Sequence, residues 1–208
     1  AIDELRPDTL LILPWNLREE VTFVRAPEGA STIGCINLGI SSASGEIIHV
    51  LSAGWKASPG WTDPVMERFA DPEIAAVIPL TVSEDDPQRV VALGMTYSRG
   101  GRRRRRVPAA SRASLTAVNL SIAAINRPRR GRIMGPLIDA GFWRAEALAS
   151  AGPGFAACCG AEMADADLAV ALAAAGGQTR VEPGSQVIAG PMTTDLGRFR
   201  EGLHAERL

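Results

Sequence analysis

Two short runs of consecutive apolar residues, with a helix pattern between them, constrain the fold of this chain more than any other feature. Glu46–Leu51 and Ile74–Leu80 are rich in β-branched residues and nearly all apolar, which predicts strands buried on both faces. Asp63-Pro64 predicts the start of the intervening helix, with Asp as N-cap and Pro at the first helical position. Strands that alternate with helices predict an α/β fold with a mixed, mainly parallel central sheet flanked by helices.

Further segments extend this alternation along the chain. The patterns predict a strand at Asp8–Leu13 and helices at Ser31–Ser44, around Ala145–Ala151 and at Glu162–Ala175. Residues 83–136 differ: we expect a strand at Arg89–Tyr97, a mobile basic loop, and a helix or strand near Leu115–Ile125. The length of 208 residues fits a single domain, with 1–82 as its first half, 83–136 as a basic excursion, and 137–208 as its second half and C-terminal tail.

Composition excludes several classes of protein. Hydrophobic residues make up 46% of the chain and charged residues 22%, which excludes a disordered or collagen-like chain. No apolar run is long enough for a membrane-spanning helix, and no leader sequence is visible. Three cysteines cannot form a disulfide framework, and with two histidines and no C-x-x-C spacing they do not favour a zinc site. We therefore expect a cytoplasmic protein.

Arginine is concentrated in one part of the chain. Residues 87–137 contain twelve Arg and no Asp, Glu or Lys, whereas the net charge of the whole chain is −1. The run Arg102–Arg106 allows a solvated loop, or a lid whose guanidinium groups bind a diphosphate or an acidic acceptor. Nucleic-acid binding is not favoured, because the run has almost no interleaved aromatic residues and no known recognition motif.

Several motifs resemble, in their order and spacing, those of the inverting family 2 glycosyltransferases, which have the GT-A fold. In the first half they are Val24–Gly29, Cys35–Ile40, Ala43–Ile48 and Pro59–Trp61. In the second half they are Gly141–Leu148 and the acidic segment Asp165–Leu168. The resemblance covers residues 21–187 and implies transfer of a sugar from a nucleotide-sugar donor to a carbohydrate or lipid acceptor.

The resemblance also implies which residues carry the chemistry. Asp165 would be the general base that deprotonates the acceptor hydroxyl, and Asn37, Trp55 and Asp167 would contact substrate. The alternatives are structural roles: the acids stabilise a helix N-terminus, Asn37 caps neighbouring backbone, and Trp55 packs under the turn. His49, on the first buried strand, is expected to be a core histidine.

The chain departs from the family where a metal ion is normally held. The family has an Asp-x-Asp turn after the Ile47–Leu51 strand, whereas this chain has Ser52 and Gly54 at the two Asp positions. Mn²⁺ or Mg²⁺ prefers anionic oxygen ligands, so a metal site of the usual kind is not favoured. Two hypotheses follow. In one, Arg102, Arg103 and Arg104 take over the electrostatic role of the cation. In the other, the domain is catalytically inactive and binds a nucleotide, glycan or protein partner.

Overall fold

The structure is a computed structural model that describes residues 21–98, 100–109, 113–127, 131–152 and 154–189. Five α-helices are described, in chain order: α1 (Thr32–Ser42), α2 (Asp63–Phe69), α3 (Leu115–Ile125), α4 (Ala145–Ala151) and α5 (Gly160–Ala174). Nine strands are described: β1 (Ile47–Leu51), β2 (Lys56–Ala57), β3 (Ile74–Val82), β4 (Val90–Ala92), β5 (Met95–Ser98), β6 (Arg102–Arg105), β7 (Arg132–Gly135), β8 (Ala140–Arg144) and β9 (Gln178–Ile188). The strand predicted at Asp8–Leu13 lies outside the described residues.

The central sheet has the order β1-β8-β3-β9-β2, with β4 paired to the end of β3. The prediction of a mixed α/β fold, with a central sheet flanked by helices, is confirmed. The pairing differs from the mainly parallel arrangement that we expected. β1, β3 and β9 run in one direction, but β8 is inserted antiparallel between β1 and β3, so that among the described strands only β3 and β9 form a parallel pair. Local apolar patterns indicate buried strands but do not encode this order, because β8 comes from the second half of the chain.

The core lies on both faces of β3, whose nine residues are all buried. On one face, Trp143 of β8 and Ala76 of β3 pack against Leu168 of α5, with α1 and α4 completing the same apolar cluster. On the other face, Val77 packs against Val65 of α2. Apolar side chains are therefore required on both faces of β3, which explains its continuous apolar sequence.

The described part of residues 83–136 contains a second, smaller sheet with the order β6-β5-β7, the helix α3, and β4, which pairs with the central sheet. The prediction of a mobile loop at the arginine run is wrong, because Arg102–Arg105 is a strand paired antiparallel with Met95–Ser98. The predicted strand at Arg89–Tyr97 is divided into β4 and β5, and Leu115–Ile125 is a helix whose N-cap, Ser114, accepts a hydrogen bond from Ala117 N–H. Backbone pairing with β5 holds the arginines in an extended conformation despite their mutual repulsion.

His49 lies on β1, which is an edge strand of the described sheet and not a central one. Its ring stacks on Phe142, its cross-strand neighbour, with 4.0 Å between ring centroids, and lies 4.4 Å from the ring of Trp61. Nδ1 is 2.8 Å from the carbonyl oxygen of Gly141, which assigns the proton to Nδ1, and Nε2 is buried with no hydrogen-bond partner among the described residues. Burial lowers the pKa of His49 to about 4, and the Gly141 hydrogen bond opposes that shift.

These contacts make the stability of the fold sensitive to acid. Unfolded His49 binds a proton near its ordinary pKa of about 6.5, whereas folded His49 does so only near pH 4. We expect the free energy of unfolding to fall as pH drops from 6.5 to 4, with His49 contributing up to about 3 kcal/mol of that loss. The measurement is urea unfolding across this pH range, comparing the wild type with His49→Phe, which keeps the ring stacking. His204→Phe is the control, and an unchanged slope in His49→Phe would refute the assignment.

Candidate functional site

The carboxyl end of β1 leads into a tight turn at the two positions where the resemblance expects aspartates. The N–H of Trp55 donates to the carbonyl of Ser52 over 3.1 Å, which closes the turn. Gly54 has φ +84°, a conformation that favours glycine over any residue with a Cβ. The turn therefore presents one hydroxyl group and no carboxylate.

Asp139, which the sequence analysis missed, binds this turn through both backbone and side chain. Its carbonyl accepts from Ser52 N–H over 2.9 Å, and its Oδ1 accepts from the Ser52 hydroxyl over 2.8 Å. Asp139 immediately precedes β8, which is paired with β1, so the insertion of β8 into the sheet places this carboxylate beside Ser52. The one carboxylate bound to the turn thus comes from a residue 87 positions away.

Arg103 and Asp165 form an ion pair near Asp139: the N–H of Ile138 donates to the Asp165 carboxylate, and the charge of Asp139 acts on Arg103. Arg103 Nε donates to Asp165 Oδ1 over 2.7 Å, and Nη2 donates to Oδ2 over 2.5 Å. The Asp165 side chain is 0% exposed and the Arg103 side chain 24% exposed. The predicted general base is therefore held in a bidentate, buried contact in which both of its oxygens accept from one guanidinium group.

Two small residues allow α5 to approach the small sheet closely enough for this contact. A Cβ on Gly135 of β7 would lie 2.7 Å from the Cβ of Ala169 and 2.6 Å from the terminal methyl of Met95. Glycine at 135 and alanine at 169 thus let the helix lie against the sheet, one turn along from Asp165. Ala166, Ala169 and Met95 belong to the apolar cluster that surrounds the pair.

The pKa values of the pair follow from burial and charge. Burial raises the pKa of Asp165, while the hydrogen bonds and charge of Arg103 oppose that shift. The hydrogen bonds to Asp165 raise the pKa of Arg103, to which the charges of Asp139 and Glu162 add. A bidentate contact at these distances is that of an ionised pair, with each charge stabilising the other.

Strand alternation divides the arginine run into two faces. Arg103 and Arg105 are partly buried and pair with Tyr97 and Met95, which face α5, whereas Arg102 and Arg104 are exposed. Burial lowers the pKa of Arg105, and the charge of Asp139 opposes this. Of the three predicted arginines, only Arg103 therefore reaches the site. Arg105 belongs to the run predicted to bind a diphosphate but not to the three arginines singled out from it; the two-residue period of a strand identifies it once Arg103 is placed.

The remaining predicted residues lie elsewhere or have structural partners. The side-chain amide of Asn37 donates to the carbonyl of Phe155 over 2.7 Å and accepts from its N–H over 2.8 Å. Trp55 is partly buried against the cluster that contains Ala166. Asp167 is exposed, two residues beyond Asp165 and thus on a different side of α5. Asn37 and Asp167 are not joined to the site around Ser52, whereas Trp55 lies beside it.

The residues around Ser52 do not fit a divalent metal ion of the kind that the resemblance implies. The Ser52 hydroxyl donates its proton to Asp139, Gly54 has no side chain, and the Asp165 oxygens are bound by Arg103. Within the ranges that the structure describes, no three His, Cys, Asp or Glu side chains converge closely enough to hold a metal ion. Hard cations require several anionic oxygens, which this turn does not supply.

Comparison with known proteins gives a partial similarity to sugar transferases. No family model matches the sequence. Mouse polypeptide N-acetylgalactosaminyltransferase 15 is 32% identical over 62 residues, which is 30% of this chain and 10% of that protein. A crystal structure of GalNAc-T7 with UDP, GalNAc and Mn²⁺ covers 76% of this chain and 30% of its own, with a TM-score of 0.49 and 12% identity. The chain thus spans less than a third of either protein. None of the helices in the described part of the chain is long and apolar enough to cross a membrane.

The burial of the Arg103–Asp165 pair predicts how its variants change the stability of the fold. Arg103→Met leaves a fully buried carboxylate without its partner, so we expect it to lower the free energy of unfolding by about 3–5 kcal/mol at pH 7. The double variant Arg103→Met/Asp165→Leu removes both charges, so its free energy of unfolding should fall clearly less than that of Arg103→Met. Urea unfolding of the two single variants and the double variant measures the coupling.

A matched control is available in an exposed pair. Lys56 and Glu84 are 2.7 Å apart, with side chains 66% and 48% exposed. Lys56→Met should therefore lower the free energy of unfolding by less than about 1 kcal/mol. Equal losses in Arg103→Met and Lys56→Met would show that the Arg103–Asp165 pair is not buried in solution.

Proposed function

We propose that this chain is a glycosyltransferase-type domain of the family 2 pattern with a GT-A fold. In this proposal it binds a nucleotide-sugar at the carboxyl end of β1 and transfers the sugar, with inversion, to a carbohydrate or lipid acceptor. The observation that carries the proposal is that groups from distant parts of the sequence lie together there. Ser52 bonds to Asp139, Arg103 bonds to Asp165, and the N–H of Ile138, next to Asp139 in the chain, donates to the Asp165 carboxylate. The 62-residue similarity to a sugar transferase supports sugar transfer in general.

The charge in this site suits a diphosphate leaving group without a metal ion. Arg103 and Arg105 contribute two guanidinium groups on one face of β6. The negative charge of Asp139 acts to raise the pKa of both. Guanidinium groups bind phosphate oxygens through paired hydrogen bonds and stay charged at any physiological pH. Two such groups offset the charge that develops on a departing nucleoside diphosphate, which is the role of the cation in metal-dependent members.

Asp165 is the proposed general base, and its contact with Arg103 couples it to donor binding. As observed, the Asp165 side chain is completely buried with both oxygens accepting from Arg103, so an acceptor hydroxyl cannot reach it. A donor diphosphate competes for the same guanidinium group, and its binding releases one Asp165 oxygen. Burial raises the pKa of this carboxyl group, which makes the released carboxylate a stronger base than an exposed one.

The second candidate function is a catalytically inactive domain that binds a nucleotide, glycan or protein partner. The observation that favours it is the complete burial of the Asp165 side chain in its pair with Arg103. In that case the pair is purely structural and the domain retains a sugar-donor site without transfer activity.

Calorimetry with UDP- and GDP-sugars, with and without Mn²⁺, tests the donor site. We expect binding that Mn²⁺ does not strengthen and that Arg105→Gln weakens about tenfold or more, since a charge-assisted hydrogen bond is lost. Arg104→Gln, on the exposed face of the same strand, should bind as the wild type does. Tighter binding with Mn²⁺ would contradict the proposed role of arginine. No binding of any nucleotide-sugar would refute the donor site itself.

Turnover separates the two candidate functions. If the domain transfers sugar, Asp165→Asn should lower kcat by about two or more orders of magnitude, as expected for loss of a general base. Proton NMR of the product should show an inverted anomeric centre. Glu146→Gln, a neutralised exposed acid on α4, serves as the control. Donor binding without any transfer to carbohydrate or lipid acceptors would favour the inactive domain.

A further inference from the structure

A cavity of about 540 Å³ is lined by four arginines and lies apart from the site around Ser52. They come from four parts of the fold: Arg106 after β6, Arg127 after α3, Arg132 on β7 and Arg180 on β9. The cavity has no lining residue in common with the Ser52 site. It lies at the amino end of β9, whereas Ser52 follows the carboxyl end of β1, and these two strands run in the same direction.

The lining of this cavity is strongly positive. Its other members, all from the described residues, are uncharged, and Thr96 adds a hydroxyl group. Arg106 is anchored by its Nη1, which donates to the Ile125 carbonyl over 3.4 Å and to Met134 Sδ over 2.8 Å. Arg180 is anchored by Gln178 and by the Thr179 carbonyl. The cavity is thus lined partly by guanidinium groups that the fold itself holds in place.

Stabilisation of helix ends does not account for four arginines. Two helices, α3 and α5, end at the cavity, through Ile125 and Ala173. A helix C-terminus carries about −0.5 of an elementary charge, so the two ends together offset about one of the four positive charges. The carboxylate of Glu73 accepts from Gln178 but is not part of the lining. The lining, as described, thus contains more positive charge than the two helix ends offset, and it contains no carboxylate.

We propose that this cavity binds a small anion carrying two or more phosphate groups, at a site separate from the proposed donor site. Guanidinium groups bind phosphate oxygens in paired hydrogen bonds, and the volume is within the range of small-molecule sites. The proposal accounts for part of the arginine excess in residues 87–137, since three of the four arginines come from that segment. It does not depend on the proposed glycosyltransferase function.

The test is an NMR titration of the ¹⁵N-labelled chain with inorganic pyrophosphate. We expect saturable shifts of the backbone amides of Gly177, Thr179 and Thr96. Arg127→Gln/Arg132→Gln should raise the dissociation constant measured there about tenfold or more, since charge-assisted hydrogen bonds to phosphate are lost. Both side chains are exposed, so the variant is expected to fold, and its amide spectrum provides that check.

The matched control is Arg102→Gln/Arg104→Gln, which removes the same charge from exposed positions outside the cavity. Arg102 and Arg132 both pair with Ser98, one on each side of it in the small sheet, so these two positions have similar surroundings. The control should change the dissociation constant less than about twofold. Equal weakening in both variants would show non-specific attraction and overturn the proposal. Shifts at Gly54 and Asp139 without shifts at Thr179 would also overturn it, while supporting the donor site.

Discussion

The bidentate contact between Arg103 and Asp165 is the interaction on which the arrangement of this molecule depends. It joins the small sheet to the longest helix, and it buries the Asp165 side chain completely. A buried ion pair adds little net stability, because desolvation offsets most of its attraction, but it strongly penalises arrangements that separate the charges. The pair therefore fixes the position of β6 against α5 more than it strengthens the fold.

This constraint explains why four of the five consecutive arginines can form a strand of an ordered sheet. Arg103 is neutralised by Asp165, and Arg105 lies in the field of Asp139. Arg102 and Arg104 point to the exposed face, where water screens their charges. The alternation of a strand thus separates charges that would repel one another in a helix or a compact loop, which makes an extended conformation the least costly one for this run.

The strands and helices near the core could be predicted from sequence, because their signals are local. Ile74–Leu80 and Ser31–Ser44 were predicted from apolar runs and small residues, and they are β3 and α1 with small changes at their ends. The position of β8 could not be predicted in this way, because strand order depends on contacts between residues far apart in sequence. Asp139 was missed for the same reason, since nothing near it in sequence marks it as a partner of Ser52.

The arginine run is a second case in which a contact between residues far apart in sequence decides the local structure. A block of like charges is typical of a solvated loop, and that local signal is overridden here by one distant carboxylate, Asp165. The observed burial of Asp165 against this run is what excludes a mobile loop. If an acid is buried next to a basic segment, the cheapest source of countercharge is an arginine from that segment, which must then be ordered.

The absence of acids at positions 52 and 54 and the presence of inward-facing arginines are physically linked. Aspartates at positions 52 and 54 would add two negative charges beside Arg103 and Arg105, which already have Asp139 and Asp165 as neighbours. With a serine and a glycine there, Asp139 bonds to Ser52, and the two guanidinium groups balance the two carboxylates. This end of the sheet therefore lacks the excess negative charge that attracts a divalent metal ion. Whichever ligand it receives, its charge balance differs from that of a metal-binding turn.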